Sequence, residues 1–122
     1  MSEYKQYITE AQENGNVMIS EDVIETIVDQ ALTEVEGLEH LNIKTGAEIV
    51  DLIGGKNWGK GIKVQIGEND ELVIECNIIV KFDYAVVDVA KNCQSAVANA
   101  VESVTGVHVD AVNVNVCGIV RQ

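Results

Sequence analysis

The sequence has no proline, only 4 % aromatic residues and few basic ones, and each shortage narrows the reading. Without proline-rich or low-complexity tracts, the chain does not have the composition of a disordered or collagen-like segment. So few aromatic rings leave little for stacking nucleic-acid bases. Eight Lys plus Arg against twenty Asp plus Glu give a net charge of −12, which opposes binding to nucleic acid or anionic lipid unless the basic residues cluster. No uncharged run is long enough to span a bilayer, and no basic start leads into an apolar stretch of signal-peptide type. Three cysteines leave one thiol over in any pairing, which argues against a disulfide-stapled scaffold and for a reducing, cytoplasmic compartment. What remains is 47 % hydrophobic residues in 122, enough for one domain with its own core.

Hydrophobic spacing sets out the elements. Residues 1–16 are polar and aperiodic and read as a flexible lead-in, with a single domain over 17–122. A short strand, Val17-Met18-Ile19, precedes a helix capped by Ser20. Val23, Ile24, Ile27, Val28, Ala31, Leu32 and Val35 recur on one face of that helix, and Gly37 supplies its left-handed stop. Leu38 to Lys44 is a weaker strand candidate, Ala47 to Ile53 is undecided between helix and irregular segment, and the glycines from Gly54 to Gly61 demand a loop. Ile62, Val64 and Ile66 alternate into a turn at Gly67-Glu68-Asn69-Asp70. Leu72, Ile74, Cys76, Ile78, Val80 and Phe82 then form an apolar face opposite Val73, Glu75, Asn77, Ile79 and Lys81.

A second amphipathic helix spans about Tyr84 to Thr105 and ends at Gly106. Its buried stripe is Val86, Val89, Ala90, Cys93, Val97, Ala100, Val101 and Val104. The last strand changes parity from Val107, Val109 and Ala111 to Val112, Val114 and Val116, which requires a bulge or break near Ala111. The order predicts an α+β fold, a two-layer sandwich with both main helices on one face of a mainly antiparallel sheet.

Residues that carry chemistry do not converge. Cys76, Cys93 and Cys117 contain no C-x-x-C; parity turns the first two into the core and the third away from it. His40 and His108 belong to no short metal-ligand spacing. Gly54 through Lys60 fits G-x-x-x-x-G-K, but Gly61 stands where a magnesium-binding Ser or Thr belongs, and the loop leads into a strand rather than a helix. The expectation is no enzyme, no catalytic residue, no cofactor and no metal.

Charge is distributed more tellingly. From Glu10 to Glu39 nine acidic residues occur and no Lys or Arg, whereas Leu52 to Gly67 contains Lys56, Lys60 and Lys63 and no acid, with Trp58 among them. A Trp flanked by Lys is a contact anchor of the kind enriched at protein interfaces. Val73, Ile79, Asn113 and Asn115 add a mixed apolar and amide patch on the sheet face away from the helices. The candidate partner-binding residues are therefore Lys56, Trp58, Lys60, Lys63, Val73, Ile79, Asn113 and Asn115. The alternative is a nucleic-acid-binding module using the same Gly/Lys/Trp loop, although that loop lacks a closed G-x-x-G clamp.

Three stretches together resemble the alkaline shock proteins, or envelope stress response proteins, of Gram-positive bacteria. They are ISEDVIETIVDQALTEVEGL from Ile19, GKGIKVQI from Gly59, and NCQSAVANAVESVTGVHVDAVNVNVCGIV from Asn92 to Val120, with Gln94, Thr105-Gly106 and the Val-Asn repeat the most family-like parts. One departure is Asp83-Tyr84, where relatives often carry a glycine. The resemblance implies a compact α+β domain with no known catalytic residues and a role in cell-envelope homeostasis and stress response, with some relatives tied to fatty-acid metabolism. It also implies a cytoplasmic location, membrane-proximal through a separate anchor protein rather than by direct insertion. The partners expected on this reading are a membrane-anchored protein and further copies of the chain, as a homo-oligomer.

Overall fold

The structure, a computed structural model, describes residues 5–39 and 61–121. Its elements run β1 (Tyr7–Gln12), β2 (Gly15–Ser20), α1 (Glu21–Leu32), β3 (Ile62–Ile66), β4 (Leu72–Lys81), α2 (Val86–Thr105) and β5 (Ala111–Val120). This is the expected α+β fold. The pairings β1–β2 and β3–β4 are antiparallel, while β5 lies parallel to β4, so α2 is the crossover of a β–α–β unit. The Ala47–Ile53 segment, the Gly54–Lys60 loop, and His40–Lys44 of the weak strand candidate lie outside the described residues.

The expected lead-in is corrected first. Tyr7–Gln12 and Gly15–Ser20 form a hairpin closed at Gly15, which takes φ +130°, a region open to glycine. Its register escapes a hydrophobicity scan because Ile8 is the one fully buried side chain of the pair of strands. Backbone bonds tie the hairpin down: the Lys5 N–H donates to Ile66 O at 2.7 Å, and the Glu21 N–H donates to Gln6 O at 2.9 Å.

Ser20 caps α1, its Oγ accepting from the Val23 N–H at 3.3 Å, with Glu21 and Asp22 at the positive end of the helix. Ile24, Val28 and Ala31 are buried, whereas Val23 is exposed and does not belong to the stripe. Ser20→Ala is expected to lower unfolding stability by about 1 kcal/mol, the usual loss for such a cap, measured by urea denaturation.

α1 also stops earlier than the glycine predicts. Its last turn tightens at Thr33, whose Oγ1 donates to Gln30 O at 2.6 Å, and the chain continues through i→i−3 turns to Gly37. Beyond it Leu38 bridges Val80, and the Glu39 N–H donates to Ile79 O at 2.9 Å. The start of the weak strand candidate therefore extends β4's edge where β3 ends.

β4 follows its pattern from Leu72 to Val80, all five alternate apolar residues being buried, but Phe82 lies past the strand end and is exposed. The two helices touch each other, α1 against β3 and α2 against β5. Val89, Cys93, Val97 and Val101 of α2 share one core with Ile24 and Val28 of α1 and Ile74, Cys76 and Val80 of β4. Val104, expected in the buried stripe, is exposed. Gly106 ends α2 in the left-handed conformation at φ +77°, as its sequence position predicts.

The parity change near Ala111 is resolved by a strand that begins there. Val107 and Val109 are buried ahead of the strand, and Asp110 clamps the start of β4: its N–H donates to Leu72 O at 2.8 Å and its Oδ2 accepts from the Leu72 N–H at 2.7 Å. A further irregularity comes later, where Ile78 pairs with Val116 but Ile79 pairs with Gly118, leaving Cys117 as the extra residue of a bulge. Gln94 joins helix to strand, its Nε2 donating to Val112 O at 2.9 Å.

Candidate interaction surfaces

The two helices leave a seam between them on the side away from β4. Ala96 and Ala100 stand one turn apart on α2 with Val104 beyond them, facing Ile27 and Ala31 of α1, with Glu34 at one end. Small side chains at i and i+4 keep the seam open, giving a groove of about 660 Å³ with mainly apolar walls. Val104 is 68 % exposed at its mouth. The sequence signal was present in Ala96 and Ala100, but the expected stripe assigned Ala100 and Val104 to the core.

The sequence-derived contact residues fare differently. Lys56, Trp58 and Lys60 lie outside the described residues. Lys63 is exposed on β3. Across the sheet Lys63 pairs with Glu75, Glu75 with Asn113, and Asn77 with Asn115, so the register brings the candidates on β3 and β5 onto one face. Asn113 and Asn115 are exposed there, and Val73 is half-buried. Ile79 is not available for contact: it is 1 % exposed, and Asn77 beside it is 6 % exposed. This corrects the expectation of an open sheet face along all of β4. Asn77 is satisfied in place, its Oδ1 accepting from Asn115 Nδ2 at 2.9 Å, and Gly118 lies opposite Ile79, where an added Cβ would come within 3.3 Å of Ile79 Cδ1.

The thiols occupy two environments. Cys76 and Cys93 are fully buried free cysteines, and Cys117 is half-buried. Burial pushes the Cys76 thiol up to about 12, with the neighbouring Cys93 and Glu75 adding to the rise. Burial likewise lifts Cys93 to about 11 and raises Cys117. Thiols held protonated in this way act as small apolar groups. His108 is exposed and its Nδ1 meets Glu102 Oε2 at 3.1 Å. Among the described residues no group of three His, Cys, Asp or Glu side chains is placed to hold a metal ion, and no helix is long and apolar enough to cross a membrane.

These elements define an α+β domain whose distinctive surfaces, among the described residues, are a helix–helix seam and a sheet face. The chain belongs to the alkaline shock protein 23 family, described as having a cell envelope-related function, with residues 9–121 matched. It is not a known enzyme family. The chain is 32 % identical over 108 residues to the uncharacterized protein Spy1535 of Streptococcus pyogenes, a match covering 88 % of this chain and 81 % of the relative. It is 29 % identical over 105 residues to the uncharacterized protein YqhY of Bacillus subtilis, covering 86 % of this chain and 77 % of the relative. A further uncharacterized protein, YloU of Bacillus subtilis, is 28 % identical over 109 residues, covering 86 % of this chain and 88 % of the relative. No solved structure matches the chain at a significant level.

Proposed function

We propose that this protein is a non-enzymatic, cytoplasmic interaction module of the envelope stress response, which self-associates and holds a membrane-anchored protein partner. The family's cell envelope-related function supports the setting. The groove between α1 and α2 is the observation that carries the reading, because it is large, apolar and open in the isolated chain. Its occupant is an amphipathic helical segment of the partner with an apolar ridge and basic flanks. A helix laid into a seam buries such a ridge, and the acidic α1 and the following turn, with Glu21, Asp22, Glu34 and Glu36 and no Lys or Arg from Gln6 to Glu39, favour basic flanks.

The test is a cross-linked pull-down of the tagged protein from its own cells, with mass spectrometry of what is recovered. The expected result is the protein itself together with a membrane-anchored protein. The partner is lost from an Ala100→Glu, Val104→Glu variant that melts at the same temperature as the parent. Retention of the partner by that variant would place the contact elsewhere. Recovery of RNA-bound proteins, abolished by nuclease, would replace the reading with nucleic-acid binding.

A further inference from the structure

β5 is at the end of the three-stranded sheet, whose order is β3-β4-β5, and among the described residues no strand pairs with its outer side. Natural edge strands are short, charged, proline-bearing or covered, because a long bare edge is a template for another strand. β5 is ten residues long, AVNVNVCGIV, without a single charge or proline, in a chain that is 23 % charged. Its one irregularity is the bulge at Cys117.

The core-side row of β5 also runs out from under the helix. Val116 pairs with Ile78 and Ile119 with Val80. The β4 members of these pairs are 3 % and 0 % exposed, whereas Val116 is 37 % and Ile119 54 % exposed. Val87 in the first turn of α2 and Phe82 just after β4 are exposed as well. The apolar layer thus continues past the last strand into solvent, where another strand of the same sheet would continue it.

We infer that the outer edge of β5 is a self-pairing surface, on which a second copy of this chain adds its own β5 antiparallel around a twofold axis. Charge selects both the occupant and the direction. The uncharged strand is flanked by Asp110 and Arg121, both exposed and of opposite sign; Asp110 Oδ2 also accepts from the Leu72 N–H, and the Arg121 guanidinium lies 4.8 Å from the centre of the Phe82 ring. Antiparallel pairing brings each Asp110 to the end where the partner's Arg121 lies, while parallel pairing sets like charges side by side. With a net charge of −12, two copies repel over most of their surface, and an uncharged edge with complementary ends relieves that repulsion. The isologous arrangement is closed: each copy gives and receives the same contact, joining two three-stranded sheets into one. The inference rests on the self-association in the proposed function and identifies its surface.

The full chain is to be measured by light scattering over a concentration series and treated with a short bismaleimide. Cys117 lies near the middle of β5 and is the accessible thiol, Cys76 and Cys93 being buried. The expected result is a concentration-dependent dimer, cross-linked through Cys117. In Val116→Lys, a substitution at an exposed site, a charge near the axis weakens dimerisation by about tenfold or more and abolishes the cross-link, with an unchanged far-ultraviolet spectrum. Arg121→Glu weakens the dimer and Arg121→Lys leaves it intact. A dimer that is indifferent to Val116→Lys and not cross-linked at Cys117 would leave self-association standing and overturn β5 as its surface. A chain that stays monomeric at every concentration would overturn both. Cross-linking of Cys117 to a different protein in cells, with no dimer, would give the edge to another occupant.

Discussion

Replacing Gly37 with alanine is expected to lower the unfolding free energy by about 2–5 kcal/mol, and the melting temperature by about 10 °C for a domain of this size. Two independent penalties add at this position. Gly37 takes φ +92°, where a Cβ meets the backbone. A Cβ there would also lie 2.8 Å from Tyr84 Cδ2 and 2.9 Å from Val89 Cγ2, closer than packed carbon atoms approach. Tyr84 is exposed and can swing aside, but Val89 is a buried core residue of α2, and the Gly37 backbone is itself held where its carbonyl accepts from the Lys81 N–H at 2.7 Å. Gly106→Ala is the control: φ is +77° there, but an added Cβ has nothing within 4 Å, so only the backbone penalty of about 1–2 kcal/mol applies. Thermal melts that find the two variants equally destabilised would show that the approach of Tyr84 and Val89 to Gly37 contributes nothing.

Stability is also expected to fall steeply in alkali, through two buried thiols. Cys76 and Cys93 rise from an ordinary value of 9.0 to about 12 and about 11. Above pH 9 the unfolded chain releases these protons while the folded chain keeps them. The unfolded state then binds fewer protons, and stability decreases with pH. The stabilisation is complete below the unfolded value and is lost as pH rises toward the folded values. The slope is about 1.4 kcal/mol per thiol for each pH unit in that window, or roughly 5 kcal/mol for the pair by pH 11. Urea denaturation between pH 8 and 11 reads the slope. A Cys76→Ala, Cys93→Ala variant is less stable at pH 8, since it loses buried atoms, but its stability falls less steeply. Parallel curves for variant and parent would refute the role of the thiols. The chemistry is local to the core, and Cys117, half exposed, contributes little to it.

Gly37 also shows where sequence reading reaches its limit. A glycine after an apolar periodic run signals a helix stop, and the positive φ is present, but the helix ends at Leu32. The glycine is required for its positive φ in the turn beyond the helix and because Tyr84 and Val89 pass against it, a condition set by residues some fifty positions away. Other features were local and therefore legible. Ser20 caps with its own hydroxyl, Gly106 terminates α2 within one turn, and the β3–β4 hairpin follows from strict alternation on either side of Gly67-Glu68-Asn69-Asp70. The inward placement of Cys76 and Cys93 also followed from periodicity alone.

The β1–β2 hairpin was not legible, because one buried side chain, Ile8, cannot produce a period of two; its place comes from backbone bonds to Gln6 and Ile66. Ile79 looked like part of an open face for the converse reason: alternation tells which side of a strand a residue points to, not whether that side is covered. The sequence by itself determined which segments are helix and strand in the second half of the chain and most of the residues that enter the core there. Only the tertiary structure decided that β5 runs parallel to β4 at the sheet edge, that Ala96 and Ala100 line a groove, and that Val116 and Ile119 emerge from the core layer into solvent. Periodicity is a property of one element and its own backbone, whereas an edge, a groove and an uncovered row exist only where one element ends against another.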